Sequence, residues 1–195
     1  MLAAVILSGG ASTRMGSPKA LLPYQGRPFL DHLLEITRHP KIGVRRVVLG
    51  PHAESIARET KLAADEIVIN QDWQKGQLSS IHAALRSLPS DVDGILLCLI
   101  DHPLISGDLI TELIQAFYST NAAVVLPVFQ GKRGHPVIFS AKTFDELLAA
   151  PLHEGARTVV WAHANDLVQV ATTEEGCVLN LNDPETLARA TKEPR

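Results

Sequence analysis

From Leu2 to Leu7 every position is apolar. A strand half-covered by core would alternate, so this run predicts a strand buried on both faces. Phe29–Thr37 then places Phe29, Leu33, Leu34 and Ile36 at helical spacing, Val44–Leu49 reads as a second strand, and Ala53–Lys61 as a helix. The alternation continues with a short strand at Glu66–Asn70, a helix at Leu78–Leu88 and a buried strand at Gly94–Ile100. A helix at Ser106–Tyr118, capped by Ser106, and a strand at Ala122–Leu126 follow. Doubly apolar strands separated by helices predict a parallel sheet with right-handed crossovers.

The last third is less regular. Phe129-Gln130-Gly131-Lys132-Arg133-Gly134 predicts a turn joining Val124–Phe129 to Pro136–Phe139 as a β-hairpin. Helices are expected at Lys142–Ala150 and Gly155–Ala164, and strands at Leu167–Ala171 and Cys177–Leu181. A closing helix opens at Asp183-Pro184, with Asp as the cap and Pro in the first turn. The expected fold is α/β: one Rossmann-like, doubly wound domain over 1–195, its sheet mostly parallel with a small β-hairpin insertion.

Bulk properties narrow the partners. A chain of 195 residues buries a full core without staples. Its two cysteines, Cys98 and Cys177, lie in or beside apolar runs and read as small buried hydrophobes. Net charge is −3, with Lys and Arg scattered, so no basic face for nucleic acid is expected. No apolar stretch approaches the ~18 residues of a membrane span. Met1 leads straight into the first strand without a basic leader, which predicts a cytoplasmic protein.

Candidate chemistry gathers at predicted C-terminal strand ends, where open α/β sheets bind ligands. After the first strand the chain reads Leu7-Ser8-Gly9-Gly10-Ala11-Ser12-Thr13-Arg14-Met15-Gly16-Ser17-Pro18-Lys19. Paired glycines let backbone N–H groups approach an anion, and Arg14 and Lys19 add positive charge. Gly16 is expected to take a positive φ. The loop is not a P-loop, because Ser17 and Pro18 separate Gly16 from Lys19, and no G-x-G-x-x-G occurs. Asp101 directly follows the Gly94–Ile100 strand; Pro103 and Ser106 already organise the next helix, which favours a metal-ligand role over capping. His82, His102 and His153 lack zinc-ligand spacing.

Together these features resemble the MobA/MocA-like NTP transferases, the molybdenum cofactor nucleotidylyltransferases, and most of all their cytidylyltransferase branch. LSGGASTRMGSPKALLPYQGRPFLDH is similar to their opening signature. Further matches are Asn70-Gln71-Asp72-Trp73 with Gly76 and Ser79-Ser80, Asp101-His102-Pro103-Leu104, Gly134-His135-Pro136-Val137, Gly155-Ala156-Arg157 and Asn182-Asp183-Pro184-Glu185. The resemblance implies a nucleotide-diphospho-sugar transferase-like fold. It also implies Mg²⁺-dependent transfer of a nucleotidyl group, CMP before GMP, from a nucleoside triphosphate to a molybdopterin-type acceptor. A molybdoenzyme or its chaperone would be the further partner.

By the matched motif, Arg14 would hold the β/γ-phosphates and Lys19 the α-phosphate and attacking group, while Asp101 and Asn182 would hold Mg²⁺. Leu7, Ser8, Gly9, Gly10, Asn70, Ser79 and Ser80 would line the nucleotide site. Trp73, His102, His135 and Pro136 would meet the acceptor. Each residue keeps a plainer reading: Arg14 as a surface ion pair, Asn182 as a turn former, Trp73 as a cover for the sheet end, Ser79 and Ser80 as helix caps. His135 is not needed as a base, since a phosphate nucleophile is already ionised near neutral pH.

Three departures bear on substrate. Ile100 and His102 flank Asp101 where the cytidylyl branch has Gly or Cys and then Gln, and Leu152-His153-Glu154 replaces its Gly-Asp-Lys. Ser8-Gly9-Gly10 is closer to the guanylyl branch. Transfer to a sugar or polyol phosphate, and a non-catalytic nucleotide-binding accessory of a molybdoenzyme, stand as competing readings.

Overall fold

The structure is a computed structural model and describes residues 1–12 and 15–192. Its strands are β1 (Leu2–Ser8), β2 (Pro23–Tyr24), β3 (Arg27–Pro28), β4 (Ile42–Leu49), β5 (Ile67–Ile69), β6 (Gly94–Leu99), β7 (Val124–Phe129), β8 (Lys132–Arg133), β9 (Val137–Ser140) and β10 (Leu167–Ala171). The helices are α1 (Phe29–Ile36), α2 (Ala53–Glu59), α3 (Gln77–Arg86), α4 (Gly107–Thr120), α5 (Phe144–Ala149), α6 (Arg157–Ala162) and α7 (Pro184–Lys192). None of the described helices is long and apolar enough to cross a membrane.

The main sheet runs β10-β7-β9-β6-β1-β4-β5, with β8 beside β7, and β2 pairs β3 separately. The sheet is parallel except where β8 and β9 run antiparallel to their neighbours. Every residue of β1 is buried, as its unbroken apolar run predicts. Leu2 and Ile6 face a core formed with α1, α2 and α4, whereas Ala3, Val5 and Leu7 face another formed with α3, α5 and α6. Two cores on one sheet require this lack of alternation.

The predicted hairpin forms, but its second arm is broken. Val128 pairs Arg133 beside the turn; beyond Gly134 the arm resumes as β9, wedged between β7 and β6. The expected strand at 177–181 does not form. A 3₁₀ turn at Glu175–Cys177 starts an irregular segment, and the Gly134 and His135 neighbourhood claims its backbone: His135 N–H donates to the Cys177 carbonyl at 2.8 Å. Both cysteines are free and buried, and burial pushes the Cys98 thiol up to about 12. Ser106 caps α4 through a 3.1 Å bond from Leu109 N–H, and the Asp183 carboxylate caps α7 through Thr186 N–H at 2.8 Å.

Candidate active site

After β5 the chain crosses back to place β6 on the other side of β1, so the sheet order reverses between β1 and β6. The C-terminal ends of these two strands are therefore the place for a ligand. A cleft of about 450 Å³ opens there, walled by Leu7, Ser8, Gly9, Gly10, Lys19, Trp73, Ser80, Asp101 and Asn182 among others.

The loop after β1 is held from both sides. A Cβ on Gly50, at the end of β4, would sit 2.2 Å from the Gly9 carbonyl oxygen, and one on Gly9 would sit 2.9 Å from Ser80 Oγ. Only bare backbone fits at this crossing. His52 Nε2 lies 3.0 Å from the Ala11 carbonyl, and Lys19 N–H donates to Ser12 Oγ at 3.1 Å. Gly16 has the expected positive φ, 67°. Arg14 and Thr13 lie outside the described residues.

Three functional groups converge across this cleft. Lys19 Nζ donates to Asn182 Oδ1 and lies 3.6 Å from an Asp101 carboxylate oxygen. Asp101 is presented by the end of β6, and its carbonyl accepts from Leu181 N–H at 2.8 Å, which brings the neighbouring Asn182 to the same point. Lys19 and Asp101 are 16% and 20% exposed, so the pair is desolvated yet reachable. Among the described residues no three His, Cys, Asp or Glu side chains cluster as a metal cage. One carboxylate and one amide oxygen drawn onto a cation are instead a hard-oxygen donor set that suits a divalent ion sharing its other positions with phosphate and water.

Asn70 and Ser79 line neither cleft described here. Asn70 Nδ2 donates to Ser79 Oγ at 2.9 Å and Ser80 Oγ at 3.0 Å, and its Oδ1 accepts from Asp72 N–H. Ser79 Oγ lies 2.9 Å from the Asp72 carbonyl and 2.7 Å from that of Gly76. These two buried residues brace the turn after β5 against α3; of the three, Ser80 alone reaches the cleft wall. Gly76 with φ 97°, and not a serine, precedes α3 as its cap.

A second cleft of about 640 Å³ shares Gln74, Gly76 and Gln77 with the first. Leu97, Leu126, Val137 and Phe139 give it an apolar floor, and Arg133, His135, Arg157 and Trp161 also line it. Trp73 belongs to the first cleft. His102 is buried and lines neither cleft; its Nδ1 lies 3.3 Å from the Gly176 carbonyl, and Pro136 also lines neither. Sequence reading gave Arg133 and Trp161 no role, because a charged hairpin tip and a tryptophan in a helix are ordinary surface signals. Arg157 was legible as part of Gly-Ala-Arg, but without a task.

His135 packs against His102 with ring centroids 5.3 Å apart, and its buried Nδ1 has no hydrogen-bond partner among the described residues. Burial, with a smaller contribution from His102 and opposition from Asp101, pulls its pKa down to about 4. Between about 6.5 and 4 the unfolded chain therefore binds a proton that the folded protein refuses. Stability is complete above this window and falls as pH drops through it, by up to roughly 3 kcal/mol. Urea midpoints at pH 7 and 4.5 measure the fall, and H135L reduces it; an equal fall in both proteins would show that His135 is not its source.

Comparison with known proteins shows what the chain is similar to. The profile of the MobA-like NTP transferase domain matches residues 4–167. Nicotine blue oxidoreductase of Paenarthrobacter nicotinovorans is 31% identical over 148 residues, 70% of each chain. A probable molybdenum cofactor guanylyltransferase of Bacillus cereus is 26% identical, with 98% of this chain and 96% of that one covered. The chain spans only 28% of the length of the bifunctional protein GlmU of Rhodopseudomonas palustris, to which it is 34% identical over 125 residues, 63% of its own length. Rv0371c of Mycobacterium tuberculosis superposes with a TM-score of 0.83 at 25% identity, over 98% of this chain and 97% of that one. A further structure of Rv0371c, with a TM-score of 0.79 at 22% identity over 98% of each chain, is a complex with manganese. The profile match begins within β1, runs through the loop, Asp101 and the His135 turn, and ends at the first residue of β10, so the chain belongs to the MobA-like NTP transferase family.

Proposed function

We propose that this protein transfers a nucleotidyl group from a nucleoside triphosphate to a phosphorylated, molybdopterin-type acceptor. The observation that carries this reading is the meeting of Lys19, Asp101 and Asn182 in a cleft edged by the glycine loop. An acceptor phosphate oxygen attacks the α-phosphorus; the new phosphoanhydride bond forms as the α–β bond breaks, and pyrophosphate leaves with the bonding electrons. No proton has to be removed, so the protein's work is alignment and charge stabilisation.

Lys19 meets the α-phosphoryl oxygens, and the Gly9-Gly10 backbone N–H groups meet the remaining phosphate oxygens. Arg14 takes the β/γ-phosphates by its place in the sequence motif. Asp101 and Asn182 would hold a divalent ion, Mg²⁺ or Mn²⁺, which would neutralise phosphate charge. The manganese in the Rv0371c complex supports a divalent ion by likeness of fold. The acceptor enters from the second cleft, whose wall includes His135.

CMP is the transferred group we assign, on the Trp73, Gly-His-Pro and Gly-Ala-Arg segments. The test is pyrophosphate release with CTP, GTP, ATP and UTP against molybdopterin, a sugar phosphate and a polyol phosphate, with Mg²⁺ present. Release with CTP and molybdopterin is the expected result. A GTP preference overturns the base alone, a sugar-phosphate preference the acceptor alone, and tight triphosphate binding without turnover on any acceptor the transferase reading.

A further inference from the structure

The second cleft has lining residues that the first does not share, among them Arg157 and Trp161 on α6. Trp161 is 60% exposed, an unusual position for so large an apolar ring. Arg157 stands four residues earlier, on the same side of the helix, with its guanidinium 5.4 Å from the indole centroid. Among the described residues no carboxylate lies within ion-pair distance of Arg157, so its planar set of donors is uncommitted. Lys142, by contrast, is paired with Asp166 at 2.7 Å and Arg38 with Glu35 at 3.1 Å.

We infer that Trp161 and Arg157 select the acceptor by its distal part: Trp161 stacks a flat conjugated ring, and Arg157 donates to a ring carbonyl or an anionic substituent. The inference rests on the reaction proposed above and adds the residues that discriminate among acceptors. Geometry supplies the reason. Nucleotidyl transfer needs the acceptor phosphate in the first cleft with Lys19, and the second cleft adjoins the first at Gln74, Gly76 and Gln77. The remainder of the acceptor then crosses the apolar floor of Leu97, Leu126, Val137 and Phe139 towards α6. A polyol chain gains little from an apolar floor ending in an indole, because its hydroxyls lose water without finding partners. A heteroaromatic ring gains both stacking and planar hydrogen bonding from an arginine and a tryptophan held side by side.

Isothermal titration with 6-hydroxymethylpterin monophosphate, in the presence of a non-hydrolysable triphosphate analogue, tests this against glycerol 3-phosphate as the polyol control. The full chain is expected to prefer the pterin phosphate at least about tenfold, and W161A to lose about 10- to 100-fold of that affinity, as removal of one ring-stacking contact does. W161F restores most of the loss. R157A weakens pterin binding as well, and R157K does not restore it, since an ammonium lacks the planar fork. Affinities for glycerol 3-phosphate and the nucleotide stay unchanged in all four variants.

Unchanged pterin binding in W161A overturns the inference, as does an equal loss for all three ligands. A dimer of the native protein that W161A dissociates, with pterin binding intact, assigns the exposed ring to a second copy and overturns it too. No nucleotide binding by the native protein overturns the proposed function and this inference together, whereas nucleotide binding without preference for the ring overturns this inference alone.

Discussion

K19M is expected to lower nucleotidyl transfer at saturating substrates by on the order of 1,000-fold, the scale of losing a charge-stabilising donor in a desolvated site. The fold controls the position of Lys19 from both its backbone and its side chain. Its backbone N–H is tied to Ser12 and its ammonium is directed at Asn182 and Asp101. As charge shifts onto the α-phosphoryl and leaving oxygens, a fixed ammonium interacts more strongly with the transition state than with the bound substrate.

The fold survives K19M. Its only described side-chain partners are Asp101 and Asn182, so the loss falls between that of a surface pair, about 1 kcal/mol, and of a broken buried pair, about 3–5 kcal/mol. K19R keeps the charge but spreads it over a wider plane, and recovers part of the rate. Single-turnover rates alongside thermal unfolding make the measurement. A folded K19M that retains a tenth of native activity would remove Lys19 from the mechanism.

D101N produces a loss of similar size for a different reason. The amide has the shape of the carboxylate and keeps an oxygen facing Lys19, so alignment is kept while one negative charge disappears. A divalent ion bound by Asp101 and Asn182 then loses its single charged protein ligand. The concentration of Mg²⁺ or Mn²⁺ for half-maximal activity should rise by at least about tenfold, and the remaining rate should fall by on the order of 1,000-fold. A chelator should silence the native enzyme, and added metal should restore it. N182A, which removes a neutral ligand, shifts the metal requirement less. If D101N slows the reaction while its metal dependence matches that of the native protein, Asp101 orients Lys19 and is not a ligand.

Much of this site was legible along the chain. Gly9, Gly10 and Lys19 follow the first buried strand, Asp101 follows another, and both strand ends border the cleft. Such features are readable because they are local: a doubly apolar run marks a central strand, and its C-terminal end in a parallel sheet is where ligands gather. That Asn70 and Ser79, expected at the nucleotide, lie off the cleft wall was not legible, for the opposite reason. A polar motif beside a glycine turn looks the same whether its groups face a ligand or one another. Here the turn consumes them, with Asn70 donating to both serines and Ser79 bonded to two carbonyls. The expected strand at 177–181 failed likewise, because its apolar residues cover the core through an irregular path whose backbone partners come from Asp101 and His135.

By itself the sequence determined the order of the main-sheet strands and helices as far as β10, the two-sided burial of β1 and the conformational freedom of the glycine-rich loop after it. Each of these follows from periodicity, side-chain size or backbone allowance within a few residues. Tertiary structure alone decided that Asn182, 163 residues from Lys19, would meet it. It also decided that the broken hairpin arm would wedge between β7 and β6 and that Trp161 would stand beside Arg157 in the lining of the second cleft. These pairings depend on the path of the whole chain, since which distant polar groups share one desolvated space is set by how the two cores pack on the sheet and not by the spacing of any motif.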